Sequence, residues 1–331
     1  MNKTFEAVNW NVKNDDLTQA FFEQNLSQMW TPDEIPVSKD IECWNMLKPE
    51  EKDTFKKVLV FLTLLDTQQG CENLPSINFF VKDLQQKAVL SFMEMMEHIH
   101  AKSYSTIFMT ILSNEEIEKL FTFARENELI QEKAKTINYY LEKLKNLNAS
   151  QVDIYLAMIA SCFLEYFLFY TGFFYPIYLS SSGKMTASGE IISLIIRDEV
   201  LHGAFTSMLA NNIYKNLSDS DREVVDKEFF ILFDKLWELE TEWTKYLFKP
   251  LNLENDVLDY MKYNANRTLK LFKKPEKFEN VSINPLIIKA IKKTNYHHDF
   301  FSTKGNTYVK HIEKKNENLS SNIENDDLFD F

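Results

Sequence analysis

The sequence is poor in residues that interrupt regular structure. Its 331 residues hold six Gly and eight Pro, with no proline between Pro75 and Pro176 or between Pro176 and Pro250. Gly and Pro cost the most in helix interiors, so their scarcity points to long helices. Cysteine is scarce too: Cys43, Cys71 and Cys162 are scattered, odd in number and form no C-x-x-C pair. A disulfide-stapled scaffold is thereby excluded, and a reducing cytoplasm is the expected location. Positive charge is in deficit, with 37 Lys and Arg against 49 Asp and Glu for a net charge of −12. No basic stripe offsets that balance, so no nucleic-acid partner is expected. The opening residues, MNKTFEAVNW, carry no apolar signal region.

Aromatic residues are abundant. Twenty-seven Phe and fourteen Tyr imply a heavily aromatic interior. One stretch, Tyr155 to Leu179, carries a single charge, Glu165, in twenty-five residues. Its length and apolarity would allow a membrane span. An acid in mid-span and Pro176 near the end favour instead a helix buried on all sides in a protein bundle. No membrane association is expected.

Residues 1 to about 48, broken by Pro32 and Pro36, should form short helices and an extended arm. Pro49-Glu50-Glu51 opens a helix that runs through Phe55, Val58, Leu59, Leu62, Leu65 and Asp66. A second long helix spans about 84–112, and Ser113 to Glu116 reads as a capping box that starts another. Further helices are expected near 127–146, 151–180, 186–215, 219–247 and 252–271, with Ser218 to Asp221 as a cap. Apolar periodicity fades after about Asp299, and 310–331 reads as a polar, mobile tail. The expected organisation is one domain over 1–300 and a flexible tail over 301–331.

Two E-x-x-H pairs carry the chemistry. Glu97 and His100 share one helical face, as do Glu199 and His202. One such pair is weak evidence, because Glu and His meet at that spacing by chance. Each pair, however, follows an acid set in an apolar helix: Asp66 lies 31 residues before Glu97, and Glu165 lies 34 residues before Glu199. The repeated order, acid helix then E-x-x-H helix, matches the ferritin-like bundles known to hold two iron or manganese ions. Four carboxylates balance two divalent cations, whereas four buried carboxylates alone would repel one another. Carboxylates with only two imidazoles favour iron or manganese over a thiolate-seeking metal. Tyr104 lies on the same face, four residues beyond His100. A phenol there can be oxidised by the metal pair, although a tyrosine in this setting is often just part of the core.

At these residues the chain resembles the small (beta) subunits of class I ribonucleotide reductases. The blocks LTLLDTQQG (62–70), MEHIHAKSYSTIF (from 96), FLEYFLFYTGFFYP (163–176) and LIIRDEVLHG (194–203) are similar to that family's signature segments. The likeness runs from MWTPDEIPVSKD (29–40) to FFSTKGNTYVK (300–310), and the KGNTYVK block and the acidic-aromatic end are most similar to the class Ib subgroup. The resemblance implies an all-α, ferritin-like fold with extra helices. It also implies an oxidoreductase subunit that stores a tyrosyl radical and passes it to a large (alpha) subunit, which reduces ribonucleotides to deoxyribonucleotides. By that pattern Asp66, Glu97 and His100 hold one metal, Glu165, Glu199 and His202 the other, and carboxylates bridge them. Tyr104 matches the radical tyrosine, and Phe169, Phe173 and Ile195 its apolar pocket. Trp30 and Asp198 match a relay to His100, and Tyr308 the tail tyrosine that hands the radical on. Leu328, Phe329 and Phe331 would anchor the tail on the large subunit. Manganese, activated through a small flavodoxin-like partner, is implied, with iron also competent, as is a homodimer. His98 should face away from the site.

Two other readings share the bundle. A different di-metal oxidase would not need Trp30, Tyr308 or the acidic tail. A ferritin-like metal store would be shorter and lack the aromatic relay.

Overall fold

The computed structural model describes residues 5–12, 15 and 17–296, with side chains through Ala290. Among the described residues there are helices and connecting turns but no strand. The thirteen α-helices in chain order are α1 (Thr18–Ser27), α2 (Ile41–Met46), α3 (Pro49–Gln68), α4 (Leu74–Phe80), α5 (Leu84–Ile111), α6 (Asn114–Glu126), α7 (Glu128–Glu142), α8 (Gln151–Phe163), α9 (Phe169–Ser181), α10 (Thr186–Lys215), α11 (Asp219–Phe248), α12 (Glu254–Leu271) and α13 (Pro285–Tyr296).

Local chemistry sets most of the helix starts. α3 begins at Pro49 with Glu50 and Glu51 in its first turn. Ser113 and Glu116 exchange hydrogen bonds at the start of α6, as the sequence predicts, and Ser150 and Asp153 do the same for α8. Ser218 Oγ accepts from the Asp221 amide at 3.2 Å to cap α11. The start of α10 is different. The residue before it, Met185, is left-handed (φ 49°) and offers no cap. Asp40, some 147 residues away in sequence, caps it instead, accepting from the amides of Ala187 at 3.0 Å and Ser188 at 2.7 Å and from Ser188 Oγ at 2.7 Å.

α3, α5, α9 and α10 form the central bundle: α3 packs on α5 and α9, and α10 packs on α8, α9 and α5. The apolar stretch expected as one helix over 151–180 is two helices joined by a π-turn, Leu164–Leu168. A second π-turn, Gln69–Asn73, follows α3. In its most apolar 18-residue window, the Gln151–Ser181 run is 89% buried inside the protein. Its apolarity therefore reflects burial in the bundle, as expected. α11 packs on α7 and α8, α12 packs on α9 and the second π-turn, and aromatic residues of α8, α11 and α12 extend the core through Phe163, Phe229, Phe233, Trp243 and Tyr260. Close approach is bought by glycine at α10: a Cβ on Gly203 would lie 2.0 Å from the Tyr166 ring.

Candidate metal centre

Asp66 lies in the last turn of α3, just before the first π-turn, Glu97 and His100 lie at the middle of α5, Glu165 lies in the second π-turn, and Glu199 and His202 lie in α10. All six are fully buried, as is Tyr104. The four elements converge them on one spot. Ligand atoms of Asp66, Glu97, His100 and Glu199 come within 4.8 Å of one another, as do those of Glu97, Glu165, Glu199 and His202.

The geometry splits into two half-sites with shared walls. His100 Nδ1 is 3.2 Å from Asp66 Oδ1, 3.6 Å from Glu97 Oε2 and 3.0 Å from Glu199 Oε1. His202 Nδ1 is 2.8 Å from Glu97 Oε1, 3.4 Å from Glu199 Oε2 and 3.8 Å from Glu165 Oε2. Glu97 and Glu199 thus face both histidines, one oxygen each way, while Asp66 and Glu165 serve one side each.

The electrostatics are those of a cation site. Burial and repulsion from Glu97 and Glu199 push the Asp66 and Glu165 carboxyls well above their usual range. Burial opposes charge on His100, but the hydrogen bond to Asp198 and the carboxylates of Asp66, Glu199 and Glu97 around its other nitrogen outweigh it and raise its pKa. His202 is likewise opposed by burial yet raised to about 9 by Glu199 and Glu97. Both oxygens of Asp66 and of Glu199, one each of Glu97 and Glu165, and His100 Nδ1 are buried without a regular hydrogen-bond partner. Orphaned carboxylate oxygens and an orphaned imidazole nitrogen gathered in one cluster are donors of the kind a pair of manganese or iron ions takes, and the four carboxylates match the charge of two divalent ions. The residues fit a dinuclear manganese or iron site.

A second layer fixes the first. His100 Nε2 faces Asp198 Oδ2 at 3.1 Å; the same carboxylate accepts from Trp30 Nε1 at 2.7 Å and from Gln28 Nε2 at 2.8 Å. The Trp30 and His100 rings stack with centroids 6.1 Å apart. Gln69, in the first π-turn, donates its amide to Glu165 in the second and to Ser161 Oγ, and Asn73 Nδ2 donates to Gln69 Oε1 at 2.7 Å. Sequence reasoning missed Gln28 and Gln69. A lone glutamine, whether just past α1 like Gln28 or in a π-turn like Gln69, carries no distinguishing pattern, and only the fold brings these two to the site.

Tyr104 is one turn beyond His100, and the charges of Asp66, Glu199 and Glu97 act on its hydroxyl, which burial first of all raises well above the usual tyrosine pKa. Phe169, Phe173 and Ile195 are fully buried, on the helices that follow Glu165 and carry Glu199. His98 is exposed, facing away as expected. Tyr308, Leu328, Phe329 and Phe331 lie outside the described residues.

Residues 7–285 match the model of the ribonucleotide reductase small-chain family. The chain is 42% identical over 311 residues to the ribonucleoside-diphosphate reductase subunit beta of Bacillus phage SPbeta, with 94% of each chain covered. It is 34% identical to the ribonucleoside-diphosphate reductase 2 subunit beta of Escherichia coli K12, covering 94% of this chain and 97% of that one. Among solved structures it is similar to the dimanganese(II)-NrdF of Streptococcus sanguinis, with a TM-score of 0.82 and 33% identity over 87% of this chain and 100% of that one. The ferritin-like bundle, the converging carboxylates and histidines and these relatives agree: the chain belongs to the ribonucleotide reductase small-chain family.

Proposed function

We propose that this beta subunit of ribonucleoside-diphosphate reductase holds its metal pair on Asp66, Glu97, His100, Glu165, Glu199 and His202 and keeps its radical on Tyr104. The observation that carries this reading is the pair of half-sites sharing Glu97 and Glu199, with Tyr104 buried one helical turn away. When bound, a dinuclear manganese or iron centre supplies the one-electron oxidising power. The chain's residues do the rest. Carboxylates facing Tyr104 can take the phenol proton when its electron leaves. Phe169, Phe173 and Ile195 keep water from the radical.

Trp30, Asp198 and His100 form a continuous line from indole to imidazole, with contacts of 2.7 Å and 3.1 Å to one bridging oxygen, Asp198 Oδ2. We assign them the relay by which the large subunit draws on Tyr104, with Tyr308 as the next station. Leu328, Phe329 and Phe331 alternate with acids in a segment suited to ordering in a partner's groove, and are assigned to docking on the large subunit. The body over 1–300 and the tail over 301–331 would then divide storage from docking. A homodimer, a flavodoxin-like activator that favours manganese, and a cytoplasmic location complete the reading.

Two variants separate the relay from docking when each is mixed with the large subunit. Trp30→Phe should keep metal content, radical and binding but lose turnover. Deleting 325–331 should keep metal and radical but abolish binding. Full turnover in Trp30→Phe would reduce Trp30 to a packing residue, and unchanged affinity after the deletion would move docking elsewhere.

A further inference from the structure

Tyr104 is not the only tyrosine beside the metal centre. Tyr166 follows the ligand Glu165 in the π-turn, and Tyr170 lies one turn further on; both are buried, with ring centroids 6.1 Å apart. Electrostatic influence from Glu165 reaches Tyr166 and from Glu199 reaches Tyr170, so both phenols sit within range of the cluster. Either phenol is an oxidisable group that competes with Tyr104 for the oxidant.

Their surroundings differ from those of Tyr104. Arg267, on α12, places its guanidinium carbon 5.2 Å from the Tyr166 ring centre, 5.0 Å from that of Tyr170 and 5.8 Å from that of Tyr263. Its Nη1 donates to Asn264 Oδ1 at 3.0 Å, which fixes the guanidinium over the rings. A cation over a neutral ring is attracted to its electron-rich face. Once the ring loses an electron the same cation repels it. At about 5 Å and an effective dielectric near 20, that repulsion disfavours the oxidised ring on the order of a hundredfold.

Proton loss is harder there as well. Forming a neutral tyrosyl radical removes one electron from the ring and one proton from the O–H bond. The Tyr104 hydroxyl is buried without a regular hydrogen-bond partner, but the carboxylates of Asp66, Glu199 and Glu97 act on it, and these are bases that can receive the proton. Tyr166 donates its hydroxyl at 2.7 Å to the Val200 backbone carbonyl, a neutral oxygen that is no base. The Tyr170 hydroxyl is buried without a partner as well, and what sets it apart from Tyr104 is Arg267, a donor and no base, over its ring.

We propose that Arg267 is a positioning residue for the oxidising equivalent: its guanidinium keeps Tyr166 and Tyr170 reduced and so confines the radical to Tyr104. The inference rests on the assignment of Tyr104 above and names what makes that assignment selective.

The test uses the full chain activated with iron(II) and oxygen. It is read by electron paramagnetic resonance and by peptide mass spectrometry for hydroxylated tyrosine at positions 166 and 170. Arg267→Met should show a second tyrosyl signal or oxidation at these positions, and both should vanish when Tyr166→Phe and Tyr170→Phe are added. Arg267→Lys, which keeps the cation, should retain the single signal. Arg267→Gln gives the same comparison with a neutral side chain that can still bond Asn264, should the methionine variant fail to fold. Neutral variants with full metal content, one unaltered signal and no oxidation at 166 or 170 would overturn the proposal. So would a new radical at Tyr166 or Tyr170 in Tyr104→Phe with Arg267 intact. An undiminished wild-type signal in Tyr104→Phe would instead overturn the assignment of Tyr104.

Discussion

Glu97 and Glu199 were legible as candidate ligands from spacing, because E-x-x-H recurs with an acid set upstream each time. The sharing of each between two histidines was not, since it depends on how α5 and α10 are rotated about their axes. Buried charge elsewhere was illegible for the same reason. Lys133 on α7 and Glu240 on α11 are both fully buried and pair at 2.6 Å, and the ammonium lies 4.1 Å from the Phe61 ring centre and 4.7 Å from that of Trp243. In sequence both look like residues of a solvated helix face. Burial lowers the Lys133 pKa from 10.5 to about 8 even though Glu240 opposes the shift. Between those two values the unfolded chain holds a proton that the folded chain has released. This site's contribution to stability therefore rises with pH across that window, by up to about 3 kcal/mol. Urea unfolding at pH 7.5 and 10.5 should show that increment in the wild type and not in a Lys133→Met, Glu240→Leu double variant. Equal pH slopes for the two proteins would contradict the assignment.

At the scale of elements, the long helices were readable from breaker scarcity, capping boxes and periodicity. α10 and α11 fall within a residue of the expected spans, at Thr186–Lys215 and Asp219–Phe248. The two π-turns were not readable. A π-turn adds a single residue to a helical turn, and in a stretch buried on every side there is no polar face whose phase could betray the shift. Yet these turns bring Gln69 to Glu165. α13 was missed because its twelve residues are short and follow an irregular segment. The cap of α10 was hidden for another reason: Asp40 is remote in sequence, and no residue at the helix start advertises it. Asp40→Ala should remove the acceptor for two buried amides and a hydroxyl. The expected loss is about 2 kcal/mol, measured by chemical denaturation, with metal stoichiometry kept. An unchanged denaturation midpoint would show that α10 does not depend on this remote cap.

Over the whole molecule, the aromatic composition becomes one continuous core that surrounds a small, highly charged centre. Four buried carboxylates are tolerable there only because histidines and protons, or metal ions, offset them. The bundle supplies the reason for the repeated sequence order: α3 with α5, and the π-turn that leads into α9 with α10, each bring one acid to one E-x-x-H helix, and the two pairs close on a single site. The account therefore stands on Tyr104 as the place where the oxidising equivalent comes to rest. The most direct measurement is an electron paramagnetic resonance spectrum of the metal-loaded, oxidised protein beside that of Tyr104→Phe, a substitution that nearly preserves volume and should leave fold and metal loading intact. The account predicts a stable tyrosyl signal in the first and its loss in the second at equal metal content. A tyrosyl signal of full intensity in Tyr104→Phe would contradict it.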